Sequence, residues 1–200
     1  MSYFRKIEYE MIPKDSFSVI RGCAKCGRKT HFTNMEKFRV NANGNKLDVW
    51  LIYQCEKCKH TLNLAICERQ KVSSIPKGEY QRFLDNDEEL ARRYGTDLQL
   101  FQKNKAEIDF ERVSVDFVKK YDAEENGGCG SLGKDIIITI HNPYKLKLRS
   151  EKQIAMVLEM SHSQVKSMME QGELELETQL PQQISFRIKA ADAGKYLRTD

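Results

Sequence analysis

The most regular pattern in this chain is an alternation of apolar and polar residues that begins just after residue 46. One face of the predicted strand is apolar and consists of Leu47, Val49, Leu51 and Tyr53. The residues between them, Asp48, Trp50 and Ile52, point to the other face. The pair Asn43-Gly44 precedes this run, and Asn-Gly favours a tight turn between antiparallel strands. The pattern therefore predicts a β-hairpin centred on Asn43-Gly44.

After Pro76-Lys-Gly78, apolar residues recur at helical spacing, namely at Tyr80, Phe83, Leu84, Leu90 and Tyr94. Gly95 ends this pattern, and Thr96 is expected to cap a second helix that carries Leu98 and Phe101. Two strands are predicted next. The first has Val113, Val115 and Phe117 on one face, and the second covers residues 135–143, where Pro143 stops it.

The C-terminal region predicts two helices followed by two strands. Ser150-x-x-Gln153 and Ser161-x-x-Gln164 each match a capping box, so each is expected to start a helix. Gly172 is expected to end the second helix. The strands that follow are marked by alternating apolar residues, which are Leu174 and Leu176 and then Ile184, Phe186 and Ile188.

Four of the six cysteines form two C-x-x-C pairs, Cys23 with Cys26 and Cys55 with Cys58. Each pair places two thiolates on one tight turn, here called a knuckle, and two facing knuckles form a tetrahedral four-sulfur site. Gly27 follows the first knuckle, where the backbone must turn sharply and a side chain is expected to crowd the metal. A hairpin between two knuckles is the layout of a zinc ribbon.

The other cysteines and the nearby histidines are interpreted as structural. Four thiolates already complete a ligand shell, so His31 and His60 are expected to lie outside it. Cys67 and Cys129 have no cysteine partner nearby in sequence, and each is interpreted as a small core residue.

Zinc is the favoured metal, held in a closed structural site without an open position for a water molecule. The spacing also resembles that of rubredoxin, in which four thiolates hold one iron ion, and tetrahedral sulfur coordination suits either metal. Rubredoxin-type knuckles usually contain proline and lie on an acidic surface. The knuckles here contain Lys25 and Lys57 instead.

Positive charge is concentrated in the first part of the chain. Residues 1–75 carry 14 Lys/Arg and 7 Asp/Glu, a net charge of +7, whereas residues 146–200 carry 8 of each. This asymmetry favours an anionic partner near the knuckles. The candidate phosphate contacts there are Lys25, Arg28, Lys29 and Lys57.

Other features narrow the class of protein. No apolar run reaches the length of about 18 residues that a membrane span needs, and the charged N-terminus does not match a signal peptide. A cytoplasmic protein with reduced thiols is therefore expected. The glycine-rich stretch before Asp135 lacks the Ser/Thr and the following helix of a P-loop, so no nucleotide cofactor is predicted. No catalytic constellation is recognisable, which predicts that the protein is not an enzyme.

The stretch LRSEKQIAMVLEMSHSQVKSMMEQGEL (148–174) resembles the S-four-type RNA-binding module of a ribosomal small-subunit protein, pseudouridine synthases and tyrosyl-tRNA synthetase. The positions that fit the module are Arg149, Glu151, Ile154, Ser161, Ser163, Val165, Met168, Gly172 and Leu174. The resemblance implies RNA contacts by Arg149 and Lys166. However, Lys166 is the only cation on the second helix, and four glutamates follow it between residues 170 and 177. A module kept only for packing or protein binding remains the alternative.

The CAKCG knuckle, the run KFRVNANGNKLDVWLIYQCEKC and the two-helix tail together resemble the uncharacterised domain-of-unknown-function family 1062. This resemblance covers nearly the full length. It implies a ribbon-like N-terminus and a bacterial origin, and it implies no activity.

These observations predict an α+β protein with three parts. Residues 1–75 form a zinc-ribbon-like domain, residues 76–145 a mixed α/β middle, and residues 146–200 a two-helix module followed by strands. The predicted function is a non-enzymatic zinc-binding protein that contacts structured RNA or a ribonucleoprotein. The alternatives are a rubredoxin-like iron electron carrier and a protein-interaction adaptor without a nucleic-acid role.

Overall fold

The computed structural model describes residues 4–76, 78–125 and 135–189 of the 200-residue chain. The strands in these ranges are β1 (Phe4–Pro13), β2 (Val19–Cys23), β3 (Arg28–Asn43), β4 (Lys46–Cys55), β5 (Thr61–Lys71), β6 (Glu107–Ile108), β7 (Val115–Glu125), β8 (Asp135–His141), β9 (Leu174–Leu180) and β10 (Gln183–Ile188). The helices in these ranges are α1 (Glu79–Leu84), α2 (Glu88–Gly95), α3 (Leu98–Lys103), α4 (Ser150–Val157) and α5 (His162–Glu170). Short 3₁₀ turns lie at Val72–Ser74 and Phe110–Arg112.

The chain divides into two compact units. The central unit is Pro13–Ser114, and the terminal unit combines Met1–Ile12 with Val115–Asp200. In its described residues, each unit contains one five-stranded sheet.

The sheet of the central unit is antiparallel, with the strand order β5-β4-β3-β2-β6. Its inner face is the one that packs against the three helices. The alternation predicted for β4 is confirmed, because Leu47, Val49, Leu51 and Tyr53 are all fully buried on that face. The predicted Asn43-Gly44 turn is also present between β3 and β4, where Gly44 has a φ of 60°.

Aromatic side chains join the helices to this inner face. The ring of Phe38 on β3 lies 4.9 Å from that of Phe83 on α1, and the ring of Tyr53 lies 6.2 Å from that of Phe101 on α3. The buried hydroxyl of Tyr53 donates to the carbonyl of Phe17 at 3.0 Å, so its polar atom is satisfied. Each fully buried side chain of this size contributes about 1.5–3 kcal/mol to folding, so this core is a major source of stability for the central unit.

The sheet of the terminal unit has the order β7-β1-β8-β10-β9, in which β1 and β8 run parallel. Isoleucines from neighbouring strands meet on one face, where Ile138 is paired with Ile7 on β1 and with Phe186 on β10. Helix α5 follows a capping box at Ser161, as predicted, and it buries Val165 and Met168.

The predicted fold class is wrong in its architecture. The structure is dominated by two five-stranded sheets, and in residues 4–76, 78–125 and 135–189 it contains neither a separate N-terminal zinc ribbon nor a separate C-terminal two-helix module. Strands β2–β5 form one sheet with β6, which comes from residues 107–108. Helices α4 and α5 belong to a unit whose sheet also contains β1, β7 and β8. The middle segment 76–145 is divided between the two units, whose boundaries lie at 12/13 and 114/115.

Several local predictions also differ from the structure. The single helical pattern over residues 80–94 is split into α1 and α2, because Asp87 caps α2 by accepting a hydrogen bond from the Leu90 amide at 2.8 Å. Asp97, and not Thr96, caps α3. The first capping box does not form, since Ser150 is buried and its hydroxyl accepts from Gln179 at 2.9 Å.

Among the described residues, no helix has the length and apolar character that crossing a membrane requires.

Candidate metal centre

The fold brings the two knuckles to the same end of the central sheet. Cys23 ends β2 and Cys55 ends β4, and each strand is followed by the turn that carries the second cysteine, Cys26 or Cys58. Strand β3 pairs with both β2 and β4, and the pairing of Phe32 with Cys55 fixes the register. The knuckles therefore face each other as a direct consequence of strand order.

The four cysteine sulfurs form one compact cluster, and all of them lie within 4.8 Å of one another. The Sγ atoms of Cys23 and Cys58 are 3.4 Å apart, and those of Cys26 and Cys55 are 3.9 Å apart. A tetrahedral site with metal–sulfur bonds of about 2.3 Å has sulfur–sulfur edges of about 3.8 Å. The donor type and the spacing thus fit a single tetrahedral metal ion.

The two knuckles share one backbone conformation. The amide of Gly27 donates to the Cys23 carbonyl at 2.9 Å, and the amide of Lys59 donates to the Cys55 carbonyl at 3.0 Å. Both residues have a positive φ, 65° for Gly27 and 60° for Lys59. The sharp turn expected at Gly27 is present, and beyond its chain neighbours a Cβ placed there has no protein heavy atom within 4 Å; crowding of a metal by such a side chain stays a prediction. The left-handed backbone is what favours glycine at this position.

Hydrogen bonds give the cysteine thiols of the cluster different pKa values. The Thr30 hydroxyl lies 3.2 Å from the Cys55 sulfur and lowers the pKa of Cys55 to about 6, helped by the backbone amides of Cys58 and Lys57. A hydrogen bond with Cys58 raises the pKa of Cys26 to about 12. Without a cation, close sulfurs hold protons between them, so metal binding must displace protons from the cluster.

A network of charged side chains supports the second knuckle. Arg112 donates to Glu56, which lies inside that knuckle, at 2.8 Å, and its guanidinium is 3.5 Å from Asp109. Asp109 is nearly buried and lies 3.0 Å from Nε2 of His31. His31 therefore faces a carboxylate and is not one of the clustered donors. Asp109 and Arg112 were not predicted, because they lie more than 50 residues after the knuckle and belong to no local motif.

Exposed cations surround the knuckles. Lys25, Arg28 and Lys57 are exposed or lie on exposed turns, and in the described part of the chain no ion pair holds them. Lys29 lies 3.4 Å from Glu107, but both side chains are more than half exposed, so this pair is weak.

The two candidate cations of the terminal unit have a different setting. Arg149 precedes α4 and is exposed, whereas Lys166 lies 3.8 Å from Glu170 on the same helix. RNA contact by these six cations stays a prediction.

Of the two remaining cysteines, Cys67 lies apart from the cluster and Cys129 lies outside the described residues. Cys67 is buried, and burial raises the pKa of its thiol, as expected for a core residue. Cys129 and the glycine-rich stretch before Asp135 lie outside the described residues.

Comparison with known proteins identifies one family. The model of the family described as "Protein of unknown function (DUF1062)" matches residues 40–180, more than two thirds of the chain. The match includes the second knuckle and ends within the terminal unit, and the first knuckle lies before it. Neither a curated protein nor a solved structure matches the chain.

Proposed function

This chain belongs to the DUF1062 family, and we propose that it is a non-enzymatic metal-binding protein that holds zinc in the four-cysteine cluster and contacts RNA. The observation that carries the proposal is the cluster itself, with four thiols within 4.8 Å at the end of two matching knuckles. The role proposed for the metal is structural, because four protein ligands complete a tetrahedral shell and leave no position for a substrate.

We favour zinc over iron because the knuckles contain Lys25 and Lys57, whereas rubredoxin-type knuckles usually contain proline and lie on an acidic surface. Cys23 and Cys55 are almost completely buried, and Cys26 and Cys58 are half-buried, so the protein surrounds most of the ion. Zinc would join the β2–β3 and β4–β5 turns and thereby stabilise the end of the sheet that carries the exposed cations.

The charge distribution supports an RNA partner. The central unit has 19 Lys/Arg and 14 Asp/Glu, a net charge of +5, whereas the terminal unit has 14 and 15, a net charge of −1. Lys25, Arg28 and Lys57 project around the knuckles without an ion pair in the described ranges. Cations that are not neutralised by the protein are the groups that gain most from phosphate contact and counterion release.

Metal analysis of protein purified from its native host tests the first half of the proposal. We expect about one zinc ion per chain and loss of that ion in Cys23→Ser. Iron, with a red colour in the oxidised protein, would replace the proposal with an electron carrier. A folded protein that never contains metal would refute both functions.

A salt series tests the second half. A titration of a structured RNA with the intact protein should give an affinity that falls as salt rises, with a slope that decreases by about 1 for each phosphate contact removed. Joint substitution of Lys25, Arg28, Lys29 and Lys57 by Gln should flatten this slope. The matched control is joint substitution of four exposed cations of the terminal unit, Lys145, Lys147, Lys152 and Lys189.

The two RNA surfaces are distinguished by one further variant. Lys166→Ala should change the slope less than the knuckle substitutions do, because it removes one cation from a segment in which four glutamates lie between residues 170 and 177. A large effect of Lys166→Ala alone would place the RNA site on the terminal unit. If the intact protein has no salt-dependent RNA affinity, the protein-interaction adaptor becomes the better function.

A further inference from the structure

We propose that the outer face of the central sheet, around Trp50, binds an unpaired stretch of RNA by stacking a base against the Trp50–Arg39 pair. The outer face is the one opposite α1–α3, and its side chains alternate with the buried ones of β4. This inference rests on the proposed RNA-binding function and names the part of the RNA that the protein reads.

The register of β3, β4 and β5 determines which side chains lie together on the outer face. Arg39 on β3 and Ala65 on β5 are the direct neighbours of Trp50, and Asn63 is the neighbour of Ile52. The helices make their aromatic contacts with the inner face through Phe38 and Tyr53, and on the outer face Arg39 and Asn63 beside Trp50 and Ile52 are exposed. The half-buried Trp50 thus lies at the centre of a face built from side chains of β3, β4 and β5.

The two layers of the central unit carry opposite charge. The strand layer, residues 19–71, has 11 Lys/Arg and 4 Asp/Glu, a net charge of +7. The helical layer, residues 79–103, has 4 and 6, a net charge of −2. An anionic chain is therefore attracted to the strand layer, and the knuckle cations lie at one end of the same layer.

The Trp50–Arg39 pair suits a nucleobase. The guanidinium carbon of Arg39 lies 5.8 Å from the centroid of the Trp50 ring, within the range of a cation–π contact. Bases stack on aromatic rings and on guanidinium planes, and one stacked base is worth roughly a fivefold to 100-fold change in affinity. A nucleic-acid strand thus matches this face in two ways, because its phosphates are attracted to the positive charge and its bases can stack on Trp50 and Arg39.

Amide side chains favour an unpaired RNA strand over a duplex. Asn41, Gln54 and Asn63 lie on the outer face by register, and within the described ranges their side chains form no hydrogen bond. Amides can donate to and accept from base edges and 2′-hydroxyl groups, which are accessible when bases are unpaired. In an A-form duplex the bases are stacked on each other and cannot reach Trp50.

Trp50 is the only tryptophan of the chain, so intrinsic fluorescence reports on this face directly. Titration of the zinc-loaded, full-length protein with oligouridine should change Trp50 fluorescence in a saturable way. In anisotropy titrations with labelled oligouridine, Trp50→Ala should weaken binding about fivefold or more, and Trp50→Phe should retain most of the affinity. Tyr121→Ala is the matched control, since Tyr121 is an exposed aromatic residue of the terminal unit. Zinc content and thermal unfolding show whether each variant is folded.

The outcomes separate this inference from the proposed function. If oligouridine binds without a fluorescence change and Trp50→Ala has normal affinity, the inference is wrong, whereas loss of affinity in the knuckle variant still supports the proposed function. If Trp50→Ala weakens binding and the knuckle substitutions do not, the outer face is the site and the knuckle contacts are wrong. Equal or tighter binding of duplex RNA, oligodeoxyuridine or polyglutamate would overturn the assignment to an unpaired RNA strand.

Discussion

The matching backbones of the two knuckles allow a paired test of what shapes the metal site. Gly27 and Lys59 occupy the same position after the second cysteine, and both have left-handed backbone conformations. Only the first knuckle has glycine there. We therefore expect Gly27→Ala to weaken zinc binding and Lys59→Gly to strengthen it.

The expected change in the free energy of zinc binding follows from two opposing contributions. The left-handed conformation costs a residue with a Cβ about 1–2 kcal/mol, and glycine loses about 0.5–1 kcal/mol more conformational entropy on folding. Beyond its chain neighbours, a Cβ at residue 27 meets no protein heavy atom within 4 Å, so packing against the rest of the protein adds no steric term. The net change is about 0.5–1 kcal/mol for each substitution, with opposite signs, which is roughly a twofold to fivefold change in zinc affinity.

Competition for zinc with a chromophoric chelator measures this change. Lys59→Ala is the matched control for Lys59→Gly, because both variants lose the same positive charge and only the alanine keeps the backbone strain. Equal affinities of Lys59→Gly and Lys59→Ala, or a wild-type affinity for Gly27→Ala, would show that the turn conformation does not limit metal binding.

Four further predictions concern stability. Gly95→Ala should destabilise the central unit by about 1–3 kcal/mol in urea unfolding, because its Cβ would lie 2.6 Å from Cβ of Ser16 and 2.7 Å from Nδ2 of Asn34. Gly22→Ala is the control and should leave the free energy of unfolding almost unchanged, because a Cβ there has nothing within 4 Å. Asp109→Asn should cost about 1–3 kcal/mol in the same assay, because it removes the buried charge that faces His31 and Arg112. Arg5 holds the pKa of the Asp122 carboxyl below its usual value of 3.8. The stabilisation by this pair is therefore present above pH 3.8 and is lost as the pH falls through the lowered pKa. Asp122→Asn should lower the free energy of unfolding by less than about 1 kcal/mol at neutral pH and should equal wild type in strong acid. Removal of zinc by a chelator should accelerate hydrogen exchange at the knuckle amides more than at the amides of Leu51 and Tyr53, because the aromatic core does not depend on the metal.

Local signals in the sequence predicted the four-cysteine cluster well, because each of its cysteines is part of a short motif. The C-x-x-C spacing fixes each knuckle, and Asn43-Gly44 with the alternation of β4 fixes the hairpin that brings the knuckles together. The capping box at Ser161 is also a local signal, and it forms as predicted. The equivalent spacing at Ser150 failed because burial of that hydroxyl against Gln179 replaced the cap.

The architecture could not be predicted in the same way, because it depends on pairings between distant segments. Strand β1 pairs in parallel with β8, and Phe4 is matched with Asp135 across 131 positions of sequence. Two residues, Glu107 and Ile108, extend the central sheet, and no periodicity can be recognised in so short a strand. Strand partners of this kind are chosen by the fit of buried faces and not by local sequence.

The basic excess of the chain has to be assigned to the units and layers of the fold and not to stretches of sequence. Counted along the sequence, the basic excess of residues 1–75 includes the first 12 residues, which belong to the terminal unit and are neutral, with two cations and two acids. The excess therefore lies wholly in the central unit, and it lies in the strands, since the helices that cover their inner face are acidic. The four-cysteine cluster at one end of the sheet and Trp50 on its outer face are then parts of the same cationic layer. Because helices occupy the inner face, the exposed residues of the outer face, such as Arg39, Asn41 and Asn63, and the exposed knuckle turns are the groups of this layer that can contact an anionic partner.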